Sequence, residues 1–266
     1  MTSVVAGPNL TPGVRNFTID LAYTPEQSEV QDGCITNGTH KVMRFDFISK
    51  NIGDADFTAG RPLDSPQLFY YHLSHHHFHM RQFNQYKLID STGNLTIPAS
   101  KPGFCLTDIE TVRDNPGETH FSTCNQNDTM GISAGWADVY TSDLPCQYLV
   151  IDGVPDGDYI IVVTTNAQHA VPEDTFDDNT FTTGLHIQGG SVAEMAVPTS
   201  FTSVAQSASS TFATSSSTGA AVAVSTGLAG TTGAPSSAAA SASSVSNVSV
   251  VLVLFIMMTL GIMAVL

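Results

Sequence analysis

The stretch FYYHLSHHHFHMRQF, Phe69 to Phe83, places His72, His75, His76, His77 and His79 within eight residues, five of the nine histidines in the chain. Crowded imidazoles repel one another once protonated, so such a cluster suits the neutral ring, with its lone pairs directed at a metal. On a helix His72, His75 or His76, and His79 would share one face. On a strand His75, His77 and His79 would point one way and His76 and Phe78 the other. Phe69, Tyr70, Tyr71 and Phe78 favour the strand. That reading predicts three imidazoles on one face, a set that suits copper or zinc. A solvated histidine-rich surface is the plain alternative.

The elements that must position these rings read as strands. KVMRFDFISKN (Lys41 to Asn51) and NTFTTGLHI are rich in Phe, Val, Ile and Thr, and QYLVIDGVPDGDYIIVVTTN has two apolar runs flanking the turn signal Gly153 to Gly157. No long amphipathic helix stands out. An all-β, antiparallel β-sandwich-like domain with long loops is therefore expected over residues 1–190. From about Ser200 to Ser249 the chain is almost wholly Ser, Thr, Ala, Gly and Val, without charge and with only Phe201 and Phe212 as aromatics. Too little apolar surface is present there to offset chain entropy, so residues 191–249 are expected to form a disordered, O-glycosylated stalk. The segment 250–266, Val250 to Leu266, is apolar and uncharged. With small residues at Ser236 to Ser243 and a polar spacer before it, and no basic flank, it reads as a glycolipid-anchor signal or a tail anchor.

The net charge is −15, and no Lys or Arg follows Arg113. That field repels nucleic acid and draws in cations. Four cysteines and the sequons at Asn16, Asn37, Asn94, Asn127 and Asn247 favour the secretory route, with two disulfides in any of three pairings. An extracellular or cell-surface, membrane-anchored location follows. No signal peptide is visible in MTSVVAGPNLTPGVRN, and a truncated start is the expectation.

YYHLSHHHFHMRQFNQYKLID resembles the copper-talon motif of the lysyl oxidase family, Trp-His-x-Cys-His-x-His-Tyr-His followed by a Phe-x-x-Tyr-x-Leu-x-Asp strand. SKPGFCLTD is similar to that family's Lys-Ala-Ser-Phe-Cys-Leu-Glu-Asp, and VPEDTFDDN to its Val-Pro-Glu-Ser-Asp-Tyr-x-Asn-Asn. GWADVYTSDLPCQYLVIDGVPDGDYIIVV resembles its Gly-Cys-Tyr-Asp-x-Tyr…Asp-Cys-Gln-Trp-x-Asp-Ile…Pro-Gly-(Asn/Asp)-Tyr segment. These motifs run in the family's order from about Pro8 to Ile187.

The resemblance implies His75, His77 and His79 as copper ligands, with His72 and His76 on non-ligand positions. It implies that Lys101 and Tyr140 are joined into lysine tyrosylquinone. Taken alone, Lys101 would read as a surface lysine and Tyr140 as a core tyrosine. Ser74 and Trp136 stand where the family has cysteines of further bridges, and the four that remain match the family pairs Cys34–Cys146 and Cys105–Cys124. Glu173, Asp178 and Asn179, with Asn9, fall where some members hold calcium, and oxygen ligands suit that ion; an acidic turn is the plain alternative. The implied reaction is oxidative deamination of a primary amine or of lysine in a protein, with dioxygen, releasing aldehyde, ammonia and hydrogen peroxide. His120 and Asp138 are candidate bases. The competing readings are a catalytically silent copper-binding or adhesive surface protein, a histidine-rich sandwich of the superoxide dismutase kind, and a zinc hydrolase.

Overall fold

The computed structural model describes residues 6–98 and 101–207. The elements are β1 (Leu10–Tyr23), α1 (Gln27–Gln31), β2 (His40–Asn51), β3 (Phe57–Gly60), β4 (Phe69–His72), β5 (His77–Arg81), β6 (Gln85–Asp90) and β7 (Thr96–Pro98). After them come β8 (Gly103–Phe104), β9 (Glu110–Thr111), β10 (Met130–Ile132), β11 (Trp136–Tyr140), β12 (Tyr148–Val150), β13 (Gly157–Thr164), β14 (Thr180–Gln188) and β15 (Ser191–Met195).

Two antiparallel sheets form the body, as expected for an all-β chain. One has the order β1-β2-β11-β9, with β12 on the other half of the β2 edge; the second runs β15-β14-β13-β6-β7. Met43, Phe45 and Phe47 from β2 and Tyr159, Ile161 and Val163 from β13 share one core, following the two-residue period of each strand. Tyr86 on β6 closes it, with its ring centroid 5.1 Å from Phe45 and 5.8 Å from Phe47. The turn at Gly153–Gly157 is present, but it carries the chain from β12 in one sheet to β13 in the other, not around a hairpin. Two small separate sheets, β3 with β10 and β4-β5-β8, pack into the same core through Phe57, Ile132, Phe69, Met80 and Phe104.

The packed unit runs past the boundary expected at residue 190. β15 pairs with β14, and Phe201, 1% exposed, lies in a 3-10 turn against Ile89, Ile160 and Val162. The physical reason is the run of apolar residues in β13. Ile161 and Val163 face the core, which leaves Ile160 and Val162 on the outer face in need of a cover. Burying one phenylalanine side chain stabilises by about 1.5–3 kcal/mol, and Val204 and Ala205 pack against the same cluster. The expected stalk beyond residue 207 and the apolar segment Val250–Leu266 lie outside the described residues. Among the described residues no helix is long and apolar enough to cross a membrane.

The two disulfides are Cys34–Cys146 and Cys105–Cys124, with no free cysteine among the described residues. In the chain-entropy picture, loops of their lengths contribute about 3 kcal/mol for the short one and about 4.7 kcal/mol for the long one. Asn16, Asn37, Asn94 and Asn127 are all exposed.

Candidate active site

The histidine stretch is a hairpin, not the single strand expected. β4 ends at His72, Leu73 to His76 reverse the chain, and β5 begins at His77, which pairs with His72. Pairing the two aromatic arms with each other satisfies backbone groups that one extended strand would leave to other partners. The reversal is one helical turn, in which the His76 N–H donates to the His72 carbonyl at 2.9 Å. It closes with His76 in the left-handed region at φ 57°. Strand parity thus accounts only for His77 and His79, whereas His75 arrives from the turn.

The three rings nevertheless converge. His77 Nε2 lies 2.9 Å from His79 Nε2, and His75 Nδ1 lies 3.4 Å from the same atom. Two nitrogens each about 2.0–2.1 Å from one metal, at angles of about 90–110°, stand about 2.9–3.4 Å apart, so this trio could hold a metal ion. His72, His75 and His79 also bring ligand atoms within 4.8 Å of one another. His72, however, has Nδ1 3.1 Å from Ser74 Oγ and Nε2 3.4 Å from Asp32 Oδ2, so both ring nitrogens are engaged. Burial, reinforced by the neighbouring rings, holds the His79 pKa at about 2 and that of His75 at about 4, and burial lowers His77 as well. All three rings are therefore neutral at neutral pH, the state a metal requires.

β5 pairs on its other edge with β8, at Met80↔Phe104 and Arg81↔Gly103. The approach is so close that a Cβ on Gly103 would stand 2.7 Å from the Tyr70 ring and 2.9 Å from His79 Cβ; only glycine fits there. This contact delivers Lys101, two residues earlier, to the histidines. Lys101 is 8% exposed, and its Nζ donates to the Pro145 carbonyl at 3.2 Å and lies 5.1 Å from the centre of the Tyr140 ring. Burial lowers its pKa to about 8, against the opposing pull of Asp138, Asp32 and Glu29.

Tyr140 ends β11, where it pairs with Phe47 of β2. Its hydroxyl donates to the Cys105 carbonyl at 2.7 Å, and Phe104 meets its ring edge-on at 5.0 Å. Burial and the neighbouring Asp138 push its pKa well above the ordinary phenol value. Asp138, two residues earlier and on the same face of β11, is 2% exposed, and its Oδ2 has no hydrogen-bond partner. Burial pushes that carboxyl well above the usual range. His75, His77, His79, Lys101, Asp138 and Tyr140 line one cavity of about 450 Å³, walled by Cys105, Thr107, Ile109, Val139, Leu144 and Pro145. Of the two candidate bases, only Asp138 lines it; His120 is half-exposed and bonded to Asp56 at 2.5 Å.

The disulfides bind these parts together. Cys124, bridged to Cys105, accepts the Phe78 N–H on its carbonyl at 2.8 Å, and Cys146, bridged to Cys34, follows the Pro145 that holds Lys101.

A second cluster forms where the segment before β1 meets the loop before β14. Glu173 accepts from the Leu10 N–H at 2.5 Å, Asn166 at 2.6 Å and Asn179 at 2.8 Å, while Asn9 donates to Asp178 at 2.9 Å. Asn9 Oδ1, Asp178 Oδ1 and Asn179 Oδ1 are buried without a hydrogen-bond partner. Orphaned buried oxygens are costly, and three on residues of one hydrogen-bonded cluster are of the type that a hard cation takes.

A protein-family model described as Lysyl oxidase matches residues 20–196. The chain belongs to the lysyl oxidase family. Among curated relatives, protein-lysine 6-oxidase of Sus scrofa is 35% identical over 162 residues, which covers 60% of each chain. Lysyl oxidase homolog 1 of Homo sapiens is 32% identical over 170 residues, 63% of this chain and 27% of the relative. Lysyl oxidase homolog 2 of Gallus gallus is 32% identical over 146 residues, 54% of this chain and 18% of the relative. The chain thus spans about a fifth to three fifths of the relatives it matches.

Against the family pattern, this lysyl oxidase relative has hydrogen bonds at both positions that lack cysteine. Ser74 donates to Asp32 at 2.9 Å, and the Trp136 indole donates to the Gly117 carbonyl at 2.8 Å. Asp32, Asn166 and the Pro145 carbonyl escaped the sequence reading. Asp32 and Pro145 reach their partners across 42 and 44 residues, whereas Asn166 lies seven residues before Glu173.

Proposed function

We propose that this chain is a copper-dependent amine oxidase in which His75, His77 and His79 hold the metal and Lys101 and Tyr140 are joined into lysine tyrosylquinone. The observation that carries the reading is the Lys101 amine 5.1 Å from the Tyr140 ring centre, inside the cavity that the three histidines line. A silent copper-binding protein would need neither residue there. When present, copper and the quinone supply the oxidising power that dioxygen renews, so that a primary amine and water leave as aldehyde and ammonia and dioxygen leaves as hydrogen peroxide.

The chain's own residues do the rest. With a pKa of about 8, roughly a tenth of Lys101 is neutral at pH 7, against a few parts in ten thousand for an ordinary lysine. The Pro145 carbonyl takes one N–H and keeps the nitrogen over the ring. The Cys105 carbonyl and the edge of Phe104 hold the ring in its plane. Asp138 is the base for the substrate α-carbon, because a carboxylate with a raised pKa binds a proton more strongly and its Oδ2 is free of other donors. Ile109, Val139 and Leu144 offer apolar wall to an alkyl stem, and the charge of −15 draws in a protonated amine, free or on a lysine-containing protein. The direct test is peptide mapping. Reduced, digested protein should yield a branched, phenylhydrazine-reactive peptide joining SKPGFCLTD and ADVYTSD, and separate peptides would refute the reading.

The same reading takes Glu173, Asp178, Asn179 and Asn9 as a calcium site, supported by the three orphaned oxygens. Calcium should raise the thermal midpoint of the full chain by a few degrees, consistent with binding to the folded state alone. Asp178→Ala should abolish that response. An unchanged midpoint on adding calcium or EGTA would remove the site.

It also takes the protein to the cell surface, supported by two disulfides and by exposed sequons at Asn16, Asn37, Asn94 and Asn127. The segment Val250–Leu266 would serve as the membrane attachment. Phosphatidylinositol-specific phospholipase should release glycosylated, active protein from cells. Protein that stays bound speaks for a spanning tail instead.

A further inference from the structure

Asp32 lies far from the histidine hairpin in sequence, yet its carboxylate meets the start of the metal-binding turn. The Ser74 hydroxyl donates to Asp32 Oδ2 at 2.9 Å, and His72 Nε2 lies 3.4 Å from the same oxygen. Ser74 Oγ is also 3.1 Å from His72 Nδ1, which closes a three-member ring of contacts. His72, 4% exposed, then stacks on His75, with centroids 4.1 Å apart and planes 16° from parallel. The chain of contact therefore runs from Asp32 through His72 to the plane of the His75 ring.

Asp32 is itself firmly placed. It caps the C-terminus of α1, donating its N–H to the Ser28 carbonyl at 2.8 Å, and precedes Cys34 by two residues. On the same short helix, buried Glu29 accepts the Cys146 N–H at 3.1 Å, next to the Pro145 that holds Lys101. One element thus touches both halves of the cavity.

We propose that Asp32 and Ser74 are positioning residues that clamp the turn Leu73–His76 to α1 and set the orientation of His75, through the buried, non-ligand ring of His72. Ser74 stands where the family carries a cysteine, so in this chain a hydrogen-bonded clasp performs the restraint that a covalent bridge would otherwise give. The inference rests on the copper reading above, and it adds residues that neither the histidine spacing nor the quinone pair requires.

The test titrates Cu(II) alone, against a competing chelator, into full-length protein prepared without metal, and records the Cu(II) electron paramagnetic resonance spectrum. Ser74→Ala and Asp32→Ala should each bind about tenfold more weakly, as for other outer-shell partners of metal ligands, with a shifted copper hyperfine pattern. The double variant should be no weaker than either single one, because both break the same clasp. Ser74→Thr and Asp32→Asn keep a hydroxyl and an acceptor oxygen and should stay within about twofold of the parent. Ser74 is exposed in a turn, so Ser74→Ala folds even if Asp32→Ala does not. Ser74→Ala with the parental affinity and spectrum would overturn the inference alone. So would an Asp32→Asn variant as weak as Asp32→Ala, since charge and not position would then be the cause. A parent chain that fails to bind Cu(II) at all overturns the functional reading and this inference with it.

Discussion

Lys101→Arg should keep copper and lose the quinone, and peroxide release from amines should fall by roughly a thousandfold or more. The guanidinium stays protonated at any accessible pH, so it cannot act as the nucleophile toward an oxidised Tyr140 ring. It is also bulkier than the amine that fits against the Pro145 carbonyl, but copper content should be unaffected because the three histidines lie on a separate hairpin. The parent protein offers a second readout in the same experiment. If neutral Lys101 is the reacting form, the rate at which copper-loaded, freshly metallated protein gains its quinone should rise about tenfold per pH unit below pH 8 and level off above it. The sign follows from burial, which lowers the lysine pKa and leaves the amine protonated only below about pH 8. A rate that keeps climbing to pH 10 would mean an ordinary, solvated lysine, and amine turnover by Lys101→Arg at the parental rate would mean a different cofactor.

His77→Ala should abolish tight copper binding and quinone formation together. Its Nε2 stands 2.9 Å from His79 Nε2, and removing one of the three proposed ligands would leave a two-point site that retains a metal poorly. His77 is only half-buried, so the change should leave the fold intact, whereas His79, 3% exposed, would lose core packing as well. His76→Ala is the internal control: His76 is exposed, outside the converging trio, and its loss should change metal content little. Metal analysis and quinone staining of the three proteins decide the matter. A His77→Ala protein that still stains for quinone would exclude this ligand set.

The residue chemistry is legible in the sequence. A cluster of imidazoles with metal-binding chemistry, an all-β body and a strongly negative net charge all follow from composition and local spacing, because ligand type, strand propensity and net charge are properties of the residues themselves. The resemblance to the lysyl oxidase family drew Lys101 and Tyr140 out of the background. Their own types and neighbours would have left both as ordinary residues, and burial, the property that lowers one pKa and raises the other, is a tertiary quantity.

Other features depend on contacts between segments far apart in the chain. The histidine stretch could not be told from a single strand, because a hairpin and a strand have the same two-residue pattern until pairing is known; the turn that admits His75 becomes visible only with the His72↔His77 register. Packed structure continues past residue 190, since the apolar outer face of β13 must be covered and local sequence does not specify by which residue; Phe201 does so from 41 positions after Ile160. Asp32 reaches Ser74 across 42 residues, and Lys101 reaches the Pro145 carbonyl across 44. Residue type and local order determined which groups could bind a metal or become a cofactor. Which of them meet, at what distance and in how dry a cavity was decided by sheet pairing and loop closure, because those bring together residues that no short sequence window contains.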